Sequence, residues 1–331
     1  MPAPQNSLAV YLTTMKKTRV LVTRELPEPV MQALTERFAL INEPSSLPLS
    51  REAFASGLSH AEAAICTLME QIDAETFRHA PQLRVIANYA VGFNNIDLEA
   101  ARTHHVIVTN TPDILTETTA DLAWALLLAV ARRVPEGHEL VQSGQWTGWE
   151  PTQLLGTDVF GKTLGIIGMG RIGHAVARRA KGFNMPVLYC RRATTAAEDG
   201  SWKSMAFDDV LSEADFISLH VPLTAETRHL IGSAEFRRMR STAYLINTSR
   251  GPVVDEDALV DALRNGRLAG AGLDVYAHEP VLHPGLRELK QVVTLPHVGS
   301  ATLATRIRMG MVCIENIVAV MEGRPAPNRV A

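Results

Sequence analysis

From Val20 onward the chain alternates short apolar runs with longer amphipathic ones, the pattern of parallel β-α units. The runs RVLVT, AAICTL, LRVIAN and VIVTN predict four buried strands. Helical stretches such as Glu28 to Arg37, Asp73 to Ala80 and Asp97 to His104 separate them. Asp73 and Asp97 stand where a short acidic side chain caps the exposed amides of a helix. A second set, TLGIIG, VLYC, ADFISLHV, STAYLIN, AGAGLDVY and VVTLPH, predicts six more strands and fits a doubly wound sheet. Ser300 to Gly323 predicts one long final helix capped by Ser300, and GRPAPNRVA a polar tail.

Between the two sets, Thr118 to Val134 is apolar nearly all round. Its continuous part, LAWALLLAVA, is ten residues long between Asp121 and Arg132, well short of the roughly 20 that a bilayer requires. A helix buried between domains is expected instead. The following QSGQWTGWEPTQLLGTDVFG lacks periodicity and predicts a linker loop.

The length of 331 residues favours two domains. With 46% hydrophobic and 20% charged residues, the composition is that of a globular protein rather than a disordered or membrane-spanning one. A net charge of -3 offers no general attraction for nucleic acid or a membrane surface, which leaves small molecules or proteins as partners. Cys66, Cys190 and Cys313 are too few and too scattered for a disulfide framework or a zinc site, so a reducing, cytoplasmic compartment is expected. In the N-terminal stretch the lysines follow the short apolar run LAVYL, the reverse of an export signal, and residues 1 to 17 are expected to form a loose extension.

Two glycine motifs differ in context. GTDVFGKT, Gly156 to Thr163, matches a phosphate-loop pattern, but a loop precedes it and a strand follows, so the helix N-terminus that would face a phosphate is missing. GMGRIG, Gly168 to Gly173, follows the strand LGII and opens a helix. There the first glycine makes a tight turn, the second admits a dinucleotide pyrophosphate and the third lets helix and strand approach. About twenty residues further on, an acid would bind a ribose hydroxyl; this chain has Cys190, followed by Arg191 and Arg192. Positive charge there suits a 2'-phosphate and predicts NADP(H) preference, with NAD(H) as the alternative.

Polar residues at the carboxyl ends of strands carry the remaining chemistry. Arg250 follows STAYLIN, Glu279 follows AGAGLDVY and His297 follows VVTLP. Together they suffice to reduce a 2-keto acid. The arginine fork matches a carboxylate, the histidine donates a proton to the developing alkoxide, and the glutamate favours the imidazolium. The hydride comes from the nicotinamide.

These residues lie in an ordered set: VGFNNID, NTPDILTETTADLAWALLLAVAR, GKTLGIIGMGRIG, VPLTAETRHLI, INTSRGPVVDEDAL, GAGLDVYAHEP and TLPHVGSAT. The set resembles the D-isomer-specific 2-hydroxyacid dehydrogenases from about Val20 to Val330, and most of all their glyoxylate and hydroxypyruvate reductase branch. The resemblance implies an α/β protein of two doubly wound parallel-sheet domains. A Rossmann dinucleotide-binding domain, residues 113–299, would be inserted into a flavodoxin-like substrate domain, residues 1–112 and 300–331. It implies that Arg250, Glu279 and His297 are catalytic, and that Val91 and Gly92, with Leu68 in the CTLME loop, bind the substrate beside Arg250 and His297. The cofactor set would be Gly168, Gly170, Arg171, Ile172, Gly173, Arg191, Arg192, Val221, Pro222, Thr248, Ser249, Asp274 and Gly299, with Asp274 near the nicotinamide amide.

The expected activity is reduction of glyoxylate or hydroxypyruvate, with 2-ketogluconate a further candidate. A homodimer is implied, with the long helix and the loop bearing Trp146 and Trp149 near the partner subunit; simple packing anchors are the alternative role for these tryptophans. Phosphite dehydrogenases resemble the QSGQWTGWEP region but carry a lysine where this chain has Val91, and formate dehydrogenases pair their histidine with a glutamine rather than a glutamate. Dinucleotide-sensing corepressors share the fold but carry long extensions, whereas this chain ends a few residues after its last helical stretch, so catalysis is the expected role.

Overall fold

The computed structural model describes residues 17–191 and 202–331. Arg192 and the N-terminal residues 1–16 lie outside the described residues, so the expectations placed on them meet no structural counterpart. The chain forms two compact units: one ends at Pro112 and resumes over Arg306–Ala331, and the other is Asp113–Thr305.

The first unit holds β1 (Arg19–Val22), α1 (Glu28–Arg37), β2 (Ala39–Leu40), α2 (Arg51–His60), β3 (Ala63–Cys66), α3 (Ala74–Arg78), β4 (Val85–Asn88), α4 (Leu98–Thr103) and β5 (Ile107–Thr109). The strands form one parallel sheet in the order β2-β1-β3-β4-β5. Strands buried on both faces read as continuous apolar runs, which is why four were visible in the sequence. The two-residue β2 carries no such signal. The caps form as expected: the Asp73 carboxylate accepts from the Thr76 amide at 2.9 Å, and that of Asp97 from the Ala100 amide at 2.9 Å.

The C-terminal tail departs from the expected polar coil. The Val330 amide donates to Val108 O at 2.8 Å and the Val108 amide to Ala331 O at 3.1 Å, so the tail pairs antiparallel with β5. Unpaired edge groups of β5 are satisfied this way, and Ala331 is buried.

The second unit continues with α5 (Thr116–Ala131), α6 (Val134–Gln142), β6 (Leu164–Ile167), α7 (Arg171–Ala180), β7 (Val187–Cys190), β8 (Lys203–Ser204), α8 (Phe207–Glu213) and β9 (Phe216–Leu219). It then runs through α9 (Ser233–Arg238), β10 (Tyr244–Asn247), α10 (Glu256–Arg264), β11 (Gly270–Leu273), α11 (Pro284–Arg287) and β12 (Val292–Thr294) to the start of α12 (Leu303–Met321). Its parallel sheet has the order β12-β11-β10-β9-β6-β7-β8. The order reverses between β6 and β9, where sheets of this kind open a crevice for ligands.

Helix α5 packs on β10, β11 and α7 of its own unit, which accounts for its apolar circumference. The Trp124 indole donates to Val176 O at 3.0 Å and its ring stacks on Phe183. Helix α12 begins two residues later than a cap at Ser300 predicts. Ser300 belongs to the turn after His297, where its carbonyl accepts from the Thr302 amide, and the Thr302 hydroxyl caps the helix through the Thr305 amide at 3.3 Å.

Candidate active site

Arg250, Glu279 and His297 follow β10, β11 and β12, three neighbouring strands, and so share one carboxyl edge of the seven-stranded sheet. Asn247 ends β10 and folds the turn beyond it. Its side-chain oxygen accepts from the Ser249 amide at 3.0 Å and hydroxyl at 2.8 Å, while its amide donates to Arg250 O at 3.1 Å. The Arg250 guanidinium donates to Ser249 O at 2.7 Å. Gly251 is required next: a Cβ there would stand 1.8 Å from the backbone carbon of Tyr276, so the Arg250 turn and the strand-end segment leading to Glu279 touch backbone to backbone.

His297 Nδ1 lies 2.8 Å from Glu279 Oε2, while Oε1 accepts from the Tyr276 amide at 3.1 Å. Burial raises the Glu279 carboxyl, but His297, the Tyr276 amide and the nearby Arg250 charge together hold it below the usual carboxylate value. Burial also lowers the Arg250 guanidinium, against the opposing pull of Glu279. The residue stays cationic near neutrality because its ordinary value is so high.

His297 adopts a left-handed backbone, φ 54°, a conformation that costs side-chain-bearing residues energy unless the surroundings enforce it. Asp274 supplies the enforcement: its two carboxylate oxygens accept from the Val298 amide at 2.7 Å and the Gly299 amide at 2.8 Å. Burial raises the Asp274 carboxyl, with the Val298 amide and His297 opposing. Gly299 is therefore engaged by Asp274, and its carbonyl accepts from the Thr119 hydroxyl at 3.1 Å.

The glycine motif runs from the end of β6 into the first turn of α7. Gly168 has φ 98°, and a Cβ on it would meet His220 O at 2.6 Å and Val221 Cγ1 at 2.8 Å. A Cβ on Gly173 would meet Gly168 O at 2.3 Å, whereas one on Gly170 would meet nothing within 4 Å. Gly168 and Gly173 thus serve the tight turn and close helix approach, and Gly170 leaves open the side from which a pyrophosphate would come. A groove of about 530 Å³ opens at this helix N-terminus, lined among others by Asp113, Glu117, Met169, Gly170, Arg171 and His174. Arg171 pairs through Nε with Asp113 at 2.5 Å, and Ile172 packs into the core.

The Thr248 hydroxyl is buried without a hydrogen-bond partner among the described residues, a state that costs about 1–3 kcal/mol unless a ligand relieves it. The open Gly170 and the orphaned Thr248 hydroxyl both fit a dinucleotide along this edge. Pro222 is exposed beyond β9. Cys190 ends β7, and the Arg191 guanidinium lies over the Tyr189 ring, 5.8 Å from its centroid.

His220 was not singled out by the sequence, because ISLHV reads simply as a strand. It stands at the carboxyl end of β9, beside the reversal of strand order, with Nε2 2.8 Å from Ser218 Oγ. Burial pushes it down to about 3, so the ring is neutral. Leu68, Val91 and Gly92 lie in the other unit, at the carboxyl ends of β3 and β4.

Comparison with known proteins agrees with this architecture. Residues 124–299 match the family model of the D-isomer specific 2-hydroxyacid dehydrogenase NAD binding domain. A glyoxylate reductase of Korarchaeum cryptofilum is 49% identical over 95% of this chain and 96% of its own length. A crystal structure of the TT0316 protein of Thermus thermophilus superposes with a TM-score of 0.89 at 46% identity, covering 95% of this chain and all of that one. The NADPH-dependent glyoxylate/hydroxypyruvate reductase of Sinorhizobium meliloti, solved with NADP and malonate, gives 0.84 at 31% identity, covering 95% of this chain and 97% of its own. A dinucleotide-binding fold with a paired histidine and glutamate, matched along nearly its whole length by such relatives, leaves one conclusion: the chain belongs to the D-isomer specific 2-hydroxyacid dehydrogenases.

Proposed function

We propose that the protein reduces small 2-keto acids, glyoxylate and hydroxypyruvate first, to the corresponding 2-hydroxy acids, with NADPH preferred over NADH. The observation that carries this reading is the 2.8 Å contact between His297 Nδ1 and Glu279 Oε2, on the sheet edge that also bears Arg250. When bound, a nicotinamide dinucleotide supplies the two electrons that the carbonyl carbon receives. Gly168, Gly170, Arg171, Gly173, Thr248 and Val221 would hold it. Arg250 binds the substrate carboxylate and polarises the adjacent carbonyl. With Nδ1 committed to Glu279, His297 donates from Nε2 to the developing alkoxide, and an anionic Glu279 keeps that proton on the ring until it is needed. Val91, Gly92 and Leu68 complete the carboxylate and side-chain contacts.

Cofactor preference rests on the charge after β7. A carboxylate at Cys190 would repel a 2'-phosphate, whereas Arg191 and Arg192 attract one. The half-buried Cys190 thiol is pushed up to about 11 by burial and so stays neutral.

Homodimer formation is part of the same reading. Helix α6 buries none of its residues, and Val134, Val141, Trp146, Trp149, Leu155 and Phe160 leave apolar surface exposed along it and the following loop, Trp149 at 80%. This exposed apolar surface is what supports the dimer reading.

A steady-state panel of glyoxylate, hydroxypyruvate, 2-ketogluconate, pyruvate and phosphite, each with both cofactors, tests the assignment. Turnover is expected with glyoxylate and hydroxypyruvate. Negligible turnover of every 2-keto acid rejects it.

A further inference from the structure

The five-stranded unit carries a set of buried asparagines at the carboxyl edge of its sheet that the proton chemistry does not use. Asn88 ends β4 and Asn110 follows β5; the register pairs Ala87 with Thr109, so the two asparagines stand side by side at the carboxyl edge. Asn88 is wholly buried and Asn110 nearly so. Asn110 Nδ2 donates to Val91 O at 2.8 Å, and Asn88 Nδ2 donates to Gly92 O at 2.8 Å. A third asparagine, Asn95, donates to Thr67 O at 3.0 Å and Glu70 O at 3.1 Å, and its Nδ2 lies 3.4 Å from Asn88 Oδ1. That last contact holds the Asn88 amide with its donor toward Gly92.

In a trans peptide the carbonyl and the following N–H point to opposite sides. Anchoring Val91 O therefore turns the Gly92 amide away from Asn110, and anchoring Gly92 O turns the Phe93 amide away from Asn88. Neither of these amides donates to another group among the described residues. Both belong to a half-exposed loop, so they are open to an anion.

We infer that Asn88 and Asn110 are positioning residues for the substrate: they aim the Gly92 and Phe93 amides at its carboxylate. The inference rests on the reading that the Val91–Gly92 backbone holds that carboxylate. It adds which side chains set the direction of the amides and extends the contact to Phe93. The asparagines themselves touch no reacting atom. Their effect falls on substrate affinity more than on the chemical step, because carboxylate binding is common to ground state and transition state.

The test compares Asn110→Asp, isosteric but without the donor, and Asn110→Leu, which introduces no buried charge, with the unaltered protein. Each is expected to raise KM for glyoxylate about tenfold, the loss of one well-placed hydrogen bond, with kcat within about twofold and KM for NADPH unchanged. An unchanged KM for glyoxylate in variants that melt with the parent overturns the positioning role. Absence of 2-keto acid turnover in the unaltered protein instead strikes the proposed function. A second readout needs no variant: hydrogen–deuterium exchange of a peptide spanning residues 89–94, with NADPH present, on addition of oxamate. Protection is expected, and identical exchange with and without oxamate overturns the inference.

Discussion

The carboxyl edges of the two parallel sheets are furnished in opposite ways. At the carboxyl edge of the seven-stranded sheet, successive strands end in ionisable side chains, Arg250, Glu279 and His297, held within reach of one another. At the corresponding edge of the five-stranded sheet the strand ends carry Asn88 and Asn110, whose amides turn back onto their own loop. Even Glu70, whose side chain is largely covered, is spent locally, with Oε2 accepting from the Thr67 amide and hydroxyl and the Thr23 hydroxyl. Proton transfer needs groups that change charge, and these must keep partial access to substrate. Holding an anion needs only fixed dipoles, which neutral side chains orient without the cost of burying a charge.

The contrast is sharpest at His297. If the ionisable edge performs the chemistry, His297→Ala lowers kcat by roughly 10²–10⁴ while leaving KM for NADPH unchanged. Single-turnover kinetics with glyoxylate measure this directly, and near-normal turnover would remove the histidine from proton transfer. Next in size is the cofactor edge. Cys190→Asp combined with Arg191→Ser is expected to shift the NADPH/NADH ratio of kcat/KM toward NADH by about ten- to a hundredfold. An unaltered ratio would mean that Arg191 serves only its stacking on Tyr189.

Glu279→Gln gives a smaller effect. The Glu279 carboxyl sits below its ordinary value, so it is anionic throughout the neutral range and favours the imidazolium there. A neutral amide removes that support, and roughly tenfold slower glyoxylate reduction is expected in the neutral range. A pH–rate profile superimposable on the parent's would separate Glu279 from proton donation. Because this carboxyl is depressed on folding, its contribution to stability is present above its unfolded-state value and disappears as pH falls through the folded one.

The smallest catalytic effect is expected where neither site is touched. Trp149→Asp places a charge on the exposed apolar surface beside α6, and light scattering is expected to show a shift from dimer to monomer. A monomeric parent protein would dismiss this surface as the subunit contact.

Local signals made much of this molecule readable from its residues. Helix α1 falls on the expected bounds, Asp73 and Asp97 cap the helices they precede, and the glycine motif occupies a strand-to-helix turn, because each depends on neighbours a few residues away. Likewise the types of residue needed for keto-acid chemistry were visible at the ends of three apolar runs. What the sequence could not decide was set by groups distant along the chain. The cap of the final helix passed from Ser300 to Thr302 because the turn after His297 claims Ser300. The tail became a paired segment because β5 offered a free edge. His297 holds its left-handed backbone beside amides fixed by Asp274, 23 residues earlier (297 − 274), and Asn110 orients a peptide 19 residues away. Such contacts leave no periodic trace: a buried asparagine or a strained histidine gains its meaning only when folding brings its hydrogen-bond partner to within 3 Å.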